Sequence, residues 1–430
     1  MDSSELSDRP SVPRILVFAT LRWQLAARMA IAFSEGGCHV DVLCPRGNPA
    51  RLVSCVRQLL SCSLLVPVRS ARRAIAACSP DLVVPVDDGA ALVLQRLYRW
   101  SLASGTSQDT LRVLLERSLG SPEACLLAGL RGQFMELASR LGVRVPPSAI
   151  VSSVAGLRDW IALHGLPVVL KSDFSYGGKG VSIAHTSAEA EGALLRMMQR
   201  PRLWSAIFRS AVDRDINQLL AWVRPAPSSL LVQRCIVGRP ANRAVACWNG
   251  EVLAGISVEA LRTQHATGPS TVVCKVNSAE METATRRIVQ ELNISGLVGV
   301  DFMVEGRTGA AFVIEMNPRA TPACHLPRAL GVDLPASLTA RLLGRGLPLR
   351  RNGLVPGVVT LFPGEWRANA ASPYLHSGCH DVPWEYPALV LDGLEPAWEE
   401  RGWLARALAA WRGGAIEAER ASLRAPHELF

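Results

Sequence analysis

The chain has 430 residues, enough for two to four domains at ~150 residues each, and its 49% hydrophobic and 19% charged residues exclude a mainly disordered protein. The net charge of +9 comes from scattered arginines with no basic run and no nucleic-acid motif, which points to an anionic small molecule as partner rather than nucleic acid. No run approaches the ~20 apolar residues of a membrane helix, MDSSELSDRP has no basic-then-apolar signal, and the eleven cysteines form no C-x-x-C pair, so the expectation is a cytoplasmic chain with no membrane segment and reduced, buried thiols such as Cys44, Cys235 and Cys247.

ILVFA (15–19) predicts a first strand, 21–34 a helix ended by Gly36 and Gly37, HVDVLC (39–44) a second strand, and DLVVPV (81–86) another. Strands alternating with helices imply a parallel, doubly wound sheet. Ligands of such sheets bind past the carboxyl ends of strands, which singles out Thr20, Arg22, Asp87 and Asp88. Asp87 either serves a substrate or caps the next helix. No G-x-G-x-x-G follows the first strand, so a dinucleotide fingerprint is missing.

LPVVLKSDFSYGGKGVSIAH (166–185) predicts a strand ending in Lys171, a tip Ser175-Tyr176-Gly177-Gly178-Lys179-Gly180, and a returning strand. A tip with three glycines lets backbone N–H groups approach phosphate oxygens, with Lys171 and Lys179 adding charge, although a plain flexible turn has the same composition. It is not a Walker A loop.

GLVGVDFMVEGRTGAAFVIEMNPRATP (296–322) predicts a second hairpin turning at 306–310. Along its first strand Val300, Phe302 and Val304 alternate with Asp301, Met303 and Glu305; along the second, Phe312, Ile314 and Met316 alternate with Val313, Glu315 and Asn317. With Glu305 paired to Ala311, Asp301 faces Glu315 at a Cβ separation of roughly 4.5–5.5 Å, where like charges repel. A cation between them removes the conflict. The oxygens of Asp301, Glu315 and Asn317 suit Mg²⁺, which takes its remaining ligands from phosphates and water. If the chain stays extended through Pro318, Arg319 shares their face.

In this order the two motifs resemble the ATP-grasp superfamily, and VIEMNPR (313–319) is most similar to its carbamoyl phosphate synthetase branch. The resemblance spans roughly 120–345. It implies a pre-ATP-grasp Rossmann-like α/β domain (1–115), a two-lobed α+β ATP-grasp domain (116–345, with glycine loop 175–180 and metal hairpin 297–319), and a C-terminal extension (346–430). It further implies ATP with Mg²⁺ (or Mn²⁺) as cofactors. Arg131 and Lys171 would contact phosphate, and Gly177, Gly178 and Gly180 would close over it. Asp301, Glu315 and Asn317 would hold the metal, and Arg319 the phosphate in transfer.

VQRCIVG (232–238) resembles the adenine-binding hinge, which puts Gln233, Arg234, Cys235 and Ile236 beside the base. Many members carry a glutamate where Arg234 stands and a ribose-binding acid near Ala241 and Asn242. Thr267 to Thr271 resembles an acceptor loop, or is a simple turn. The implied activity is activation of a carboxylate as an acyl phosphate followed by transfer to an amine. Bicarbonate activation, simple phosphorylation and a non-catalytic nucleotide-binding module are the alternatives. FPGEW (362–366) and HDVPW (380–384) predict packed aromatic loops, and 395–411 a helix. The extension would cover the site, form a homo-oligomer interface or simply pack.

Overall fold

The computed structural model describes residues 12–104, 109–173, 180–199, 229–265, 268–326, 330–348 and 357–396. These fall almost entirely in one compact unit, Met1–Met198 with Pro227–Leu394. The second unit, Gln199–Ala226 with Glu395–Phe430, lies nearly all outside the described residues, as does most of the helix expected at 395–411.

The chain opens with β1 (Arg14–Phe18), α1 (Leu25–Glu35), β2 (His39–Cys44), β3 (Val56–Ser61), α2 (Pro67–Cys78), β4 (Leu82–Pro85) and α3 (Asp88–Ala103). Its four strands are all parallel, in the order β3-β2-β1-β4. The apolar runs of β1 and β4 are buried on both faces, as a parallel sheet requires. The first helix begins at Leu25, four residues later than its periodicity suggests, because residues 20–24 form the loop that leaves β1.

Helices α4 (Asp109–Leu119), α5 (Pro122–Gly129) and α6 (Arg131–Arg140) lead to a small antiparallel sheet. It contains β5 (Ser148–Val151), β6 (Val168–Lys171), β7 (Val181–Ala184) and β8 (Leu230–Arg234), ordered β5-β8-β6-β7. Helices α7 (Val154–His164) and α8 (Ser187–Met198) pack on one face, where Leu157, Ile161, Val168, Leu170, Leu194 and Val232 form its core.

A seven-stranded sheet follows: β9 (Gly238–Trp248), β10 (Glu251–Thr263), β11 (Ser270–Val276), β12 (Gly296–Glu305), β13 (Ala311–Asn317), β14 (Val358–Leu361) and β15 (Cys379–Asp381). Their order is β13-β12-β9-β10-β11-β14-β15. The last two strands, β14 and β15, come from beyond residue 346 and lengthen this sheet at the β11 edge. One core cluster joins α1 and the first sheet to Ala244, Ala246, Ile256 and Val258 of β9 and β10.

The two tryptophans expected to pack do not: Trp366 is 45% and Trp384 70% exposed. The acids beside them are buried instead. Glu365 accepts from Thr271 Oγ1 at 2.5 Å, and Asp381 is paired with Arg28 and with His325 Nε2 at 2.8 Å. A buried carboxylate needs such partners, and their positions decide which way the turns face. The ten cysteines other than Cys125 are free thiols; Cys44 and Cys247 are buried, whereas Cys235, beyond the end of β8, is only partly so.

Candidate active site

The hairpin β12–β13 brings Asp301 opposite Glu315, though by a different pairing from the one expected. Val304, not Glu305, faces Ala311. A β-bulge at Ile314 then shifts the register by one and restores the Asp301–Glu315 pair. The bulge also rewrites the faces of β13. Ala311, Val313 and Met316 enter the core with Val298, Val300, Phe302 and Val304 of β12, while Glu315 and Asn317 remain on the side of Asp301. A bulge leaves a backbone group unpaired in the ladder. Here the Ile314 carbonyl accepts from Lys171 Nζ at 3.2 Å, so the small sheet reaches the large one at the acidic pair.

Lys171 is 5% exposed at the end of β6. Burial, reinforced by Arg131, lowers its pKa to about 8, against the pull of Glu315 and Asp301. Arg131 opens α6, is equally buried, and places Nη2 3.2 Å from Glu315 Oε2. Its backbone N–H donates to Asp173 Oδ1 at 2.9 Å, which ties the start of α6 to the chain just past Lys171. Burial raises the pKa values of both Asp301 and Glu315; each also feels neighbouring cations that oppose the shift, and Asp301 pushes Glu315 further up.

The chain does not stay extended after β13. The Arg319 N–H donates to the Asn317 carbonyl at 2.8 Å, a three-residue turn centred on Pro318. The Ala320 N–H donates to the carbonyl of Pro85 at 3.0 Å, which docks the exit of the hairpin on the carboxyl end of β4. Arg319 therefore folds back: Nη2 donates to Asn317 Oδ1 at 3.0 Å, Nε lies 3.0 Å from Asp88 Oδ1, and the guanidinium stands 5.9 Å from the Trp23 ring centre. Burial works to lower its pKa, but Asp88 and the other acids outweigh it and raise the value.

Asp87 and Asp88 take different parts. Asp87 is 1% exposed and accepts from Thr20 N and Oγ1 (both 2.6 Å), Leu21 N (3.0 Å) and Ala90 N (2.8 Å). It caps α3 and fixes the loop after β1. Asp88 is the one that reaches the cleft.

The hinge is arranged less as expected. The Arg234 N–H donates to Pro147 O at 2.9 Å and the Cys235 N–H to Pro167 O at 3.1 Å, so these two donors are already spent on the small sheet. Gln233 is buried and donates to Ser148 Oγ at 3.1 Å. Arg234 is exposed, and Ile236 is 7% exposed just beyond it. Ala241 lies in the core beneath the large sheet, so position 241 does not look into the cleft. Asn242, its neighbour, does: Nδ2 donates to Asp301 Oδ1 at 2.6 Å.

Arg131, Lys171, Asp301, Glu315, Asn317 and Arg319 thus converge. Gly180 closes the base of the glycine hairpin with φ +80°, a left-handed value natural to glycine, and its carbonyl accepts from Ser172 N at 3.0 Å. Gly177, Gly178 and Lys179 lie outside the described residues. So does Thr267, although Thr271 is buried against Glu365. The oxygen donors suit a hard cation: two carboxylates face one another and repel. Asn317 turns Nδ2 toward Asp301, at 2.7 Å from Oδ2, so its amide must turn over before its oxygen can join them.

Residues 140–323 match the family model of the ATP-grasp domain. Over 220 residues, 51% of the chain, the sequence is 28% identical to the carbamoyl phosphate synthase large chain of Thermus thermophilus, and the match covers 20% of that protein. The chain thus spans about a fifth of the length of the curated relatives it matches. Its fold is similar to N5-carboxyaminoimidazole synthetase from Staphylococcus aureus complexed with ADP (17% identity, TM-score 0.56, 78% of each chain). It is also similar to the biotin carboxylase domain of the Hydrogenobacter thermophilus 2-oxoglutarate carboxylase, a dimer in complex with MgADP, ADP and bicarbonate. There the identity is 17% and the TM-score 0.55, over 78% of this chain and 70% of that one.

Proposed function

We propose, on the premise that residues 140–323 form an ATP-grasp domain, that the protein is an ADP-forming ligase that activates a small carboxylate with Mg-ATP and transfers it to an amine. The observation that carries this reading is the convergence of Lys171 from one sheet and Asp301 and Glu315 from the other, with Arg131 and Arg319 at either side. A cation-lined cleft with a facing pair of carboxylates fits a polyphosphate and its divalent ion better than a neutral substrate.

When bound between Asp301, Glu315 and Asn317, Mg²⁺ would neutralise charge on the terminal phosphates. Lys171 and Arg131 would hold those phosphates, and the Ile314 carbonyl orients Lys171 for it. A carboxylate oxygen of the acceptor attacks the γ-phosphorus, the bond to the β-phosphate oxygen breaks, and ADP leaves. The amine then attacks the acyl carbon, phosphate departs, and the nitrogen loses its proton to solvent. Arg319 would bridge the phosphate in flight with its fixed fork of donors. Asp88 at Nε and the Ala320 carbonyl at Nη1 hold that fork in place while the Asn317 oxygen serves the cation. The glycine hairpin would exclude water that otherwise hydrolyses the acyl phosphate. The likeness to structures holding ADP supports the nucleotide, and the carbamoyl phosphate synthase likeness supports chemistry on a carboxylate.

The test is turnover of ATP by the purified chain against pooled carboxylates and amines, with products separated by chromatography. ADP and phosphate, released only when both pools are present, is the expected result. AMP and pyrophosphate would place the protein in another ligase class, and ADP formed with the carboxylates alone would favour a kinase or a hydrolysed intermediate.

A further inference from the structure

Strand β9 runs beside β12, and the register sets Asn242 directly across from Asp301, as Asp301 is across from Glu315. Directly paired residues of antiparallel strands point to the same face, so the three make a row over three strands. Each oxygen of Asp301 meets one amide donor: Oδ1 takes Asn242 Nδ2 at 2.6 Å and Oδ2 takes Asn317 Nδ2 at 2.7 Å. Two donors on opposite oxygens fix the plane of a carboxylate, and once Asn317 turns its amide over to offer its oxygen, Asn242 is the amide donor that remains. The two donors leave each oxygen a further lone pair, because an ionised carboxylate has about four acceptor sites.

Chemistry decides which end of the Asn242 amide faces Asp301. Its oxygen would repel the carboxylate, so the nitrogen points inward. Asn242 Oδ1 is then buried without a partner among the described residues. An unsatisfied buried carbonyl costs stability, which a leucine of similar size would not incur. The space for the amide comes from Gly299. A Cβ there would stand 3.0 Å from Asn242 Nδ2 and 2.3 Å from Thr321 Cγ2. The missing side chain at 299, the orphaned oxygen and the short bond to Asp301 all fit one role.

We infer that Asn242 is a positioning residue for the divalent cation, holding the Asp301 carboxylate in the orientation that faces Glu315. The inference rests on the proposed function in that it takes Asp301 and Glu315 as the metal ligands. It goes further by assigning the third strand of the row, a position that no acidic or histidine ligand occupies. Outer partners that orient metal ligands typically govern affinity by about 10–100-fold.

The experiment measures free Mn²⁺ by electron paramagnetic resonance in the presence of saturating ADP, for the wild type, Asn242→Leu, Asn242→Ala and Asp301→Asn. Both Asn242 variants are expected to weaken ADP-dependent Mn²⁺ binding about 10–100-fold. Metal-free ADP affinity, by calorimetry, should change less than about threefold, a split that a merely structural asparagine would not produce. Mn²⁺ affinity within threefold of wild type in either folded variant overturns the inference, as would equal losses of Mn²⁺ and metal-free ADP affinity. Asp301→Asn separates the layers. If it abolishes the Mn²⁺ site while the Asn242 variants do not, only the positioning role fails. If it leaves Mn²⁺ bound, or the wild type binds none, the metal reading fails and carries this inference down with it.

Discussion

Asp88 Oδ1 lies 3.0 Å from Arg319 Nε, so the first turn of α3, beside the first sheet, holds an arginine delivered by the β12–β13 hairpin. Its neighbour Asp87 accepts four hydrogen bonds and never enters the cleft. The two adjacent acids therefore predict opposite phenotypes. Asp87→Ala strands buried donors and removes a helix cap, and should lower the unfolding free energy by about 2–4 kcal/mol in urea denaturation. Asp88→Ala should destabilise less than Asp87→Ala, because its own side chain is 31% exposed, although it removes the carboxylate paired with an Arg319 that is only 12% exposed. It should instead slow turnover about tenfold through a loosened Arg319. A pair of variants with equal melting curves and equal rates would refute this division.

Glu315 tests the acidic pair. It faces Asp301, sits 3.2 Å from Arg131 Nη2, and is pushed toward protonation by burial and by Asp301. Glu315→Gln keeps the shape and removes the repulsion, so the fold should survive with a melting temperature near that of the wild type. Turnover should fall at least about a hundredfold. Excess chelator should silence the wild type equally. Activity that persists in chelator would remove the cation from the mechanism.

Lys171 gives the site a pH dependence. Its pKa of about 8 means that the free protein begins to lose this charge just above neutrality. Bound phosphate would restore it, so nucleotide binding takes up a proton above pH 8 and weakens as pH rises, by up to about tenfold per unit. The stability sign is the reverse. Between about 8 and the ordinary 10.5 the unfolded chain holds the proton and the folded one does not, so stability of the free protein rises with pH across that window. Calorimetry at pH 8.5 in two buffers of different ionisation enthalpy measures the uptake. Lys171→Met should abolish it, and an unchanged uptake in that variant would assign the proton elsewhere.

Local pattern made much of this site legible. The strands β1, β2, β4, β6 and β7 follow their apolar runs closely, and the Lys171 strand and acidic hairpin stand out by residue type alone. Pairing across distance was not legible. No periodicity shows that β9 lies beside β12, so nothing local in the sequence links Asn242 to Asp301. Ala241 faces the core for the same reason. The bulge at Ile314 was hidden because strict alternation also sets Asp301 against Glu315, by compensating errors in the turn and along the strand. The apolar tryptophans dominate the pattern of FPGEW and HDVPW, and sequence does not reveal that Thr271, Arg28 and His325 await the buried acids Glu365 and Asp381.

Arg319 carries the sharpest prediction. The turn at Pro318, rather than an extended exit, brings its guanidinium back to Asn317, and Asp88 pairs with it at Nε. In the proposed mechanism the guanidinium would use its remaining N–H groups to grip a phosphate by two parallel bonds, which lysine could not do. Arg319→Lys keeps the positive charge and loses the fork. If the contact tightens as the phosphate moves, turnover at saturating ATP should fall by about a hundredfold, or ~3 kcal/mol, while nucleotide affinity changes less than about threefold. Were Arg319 only a link between the hairpin and α3, the same change would cost about 0.5 kcal/mol and leave the rate within about threefold. Steady-state rates together with calorimetric affinities separate the two, and equal losses in both quantities would show that Arg319 binds the ground state rather than the transition state.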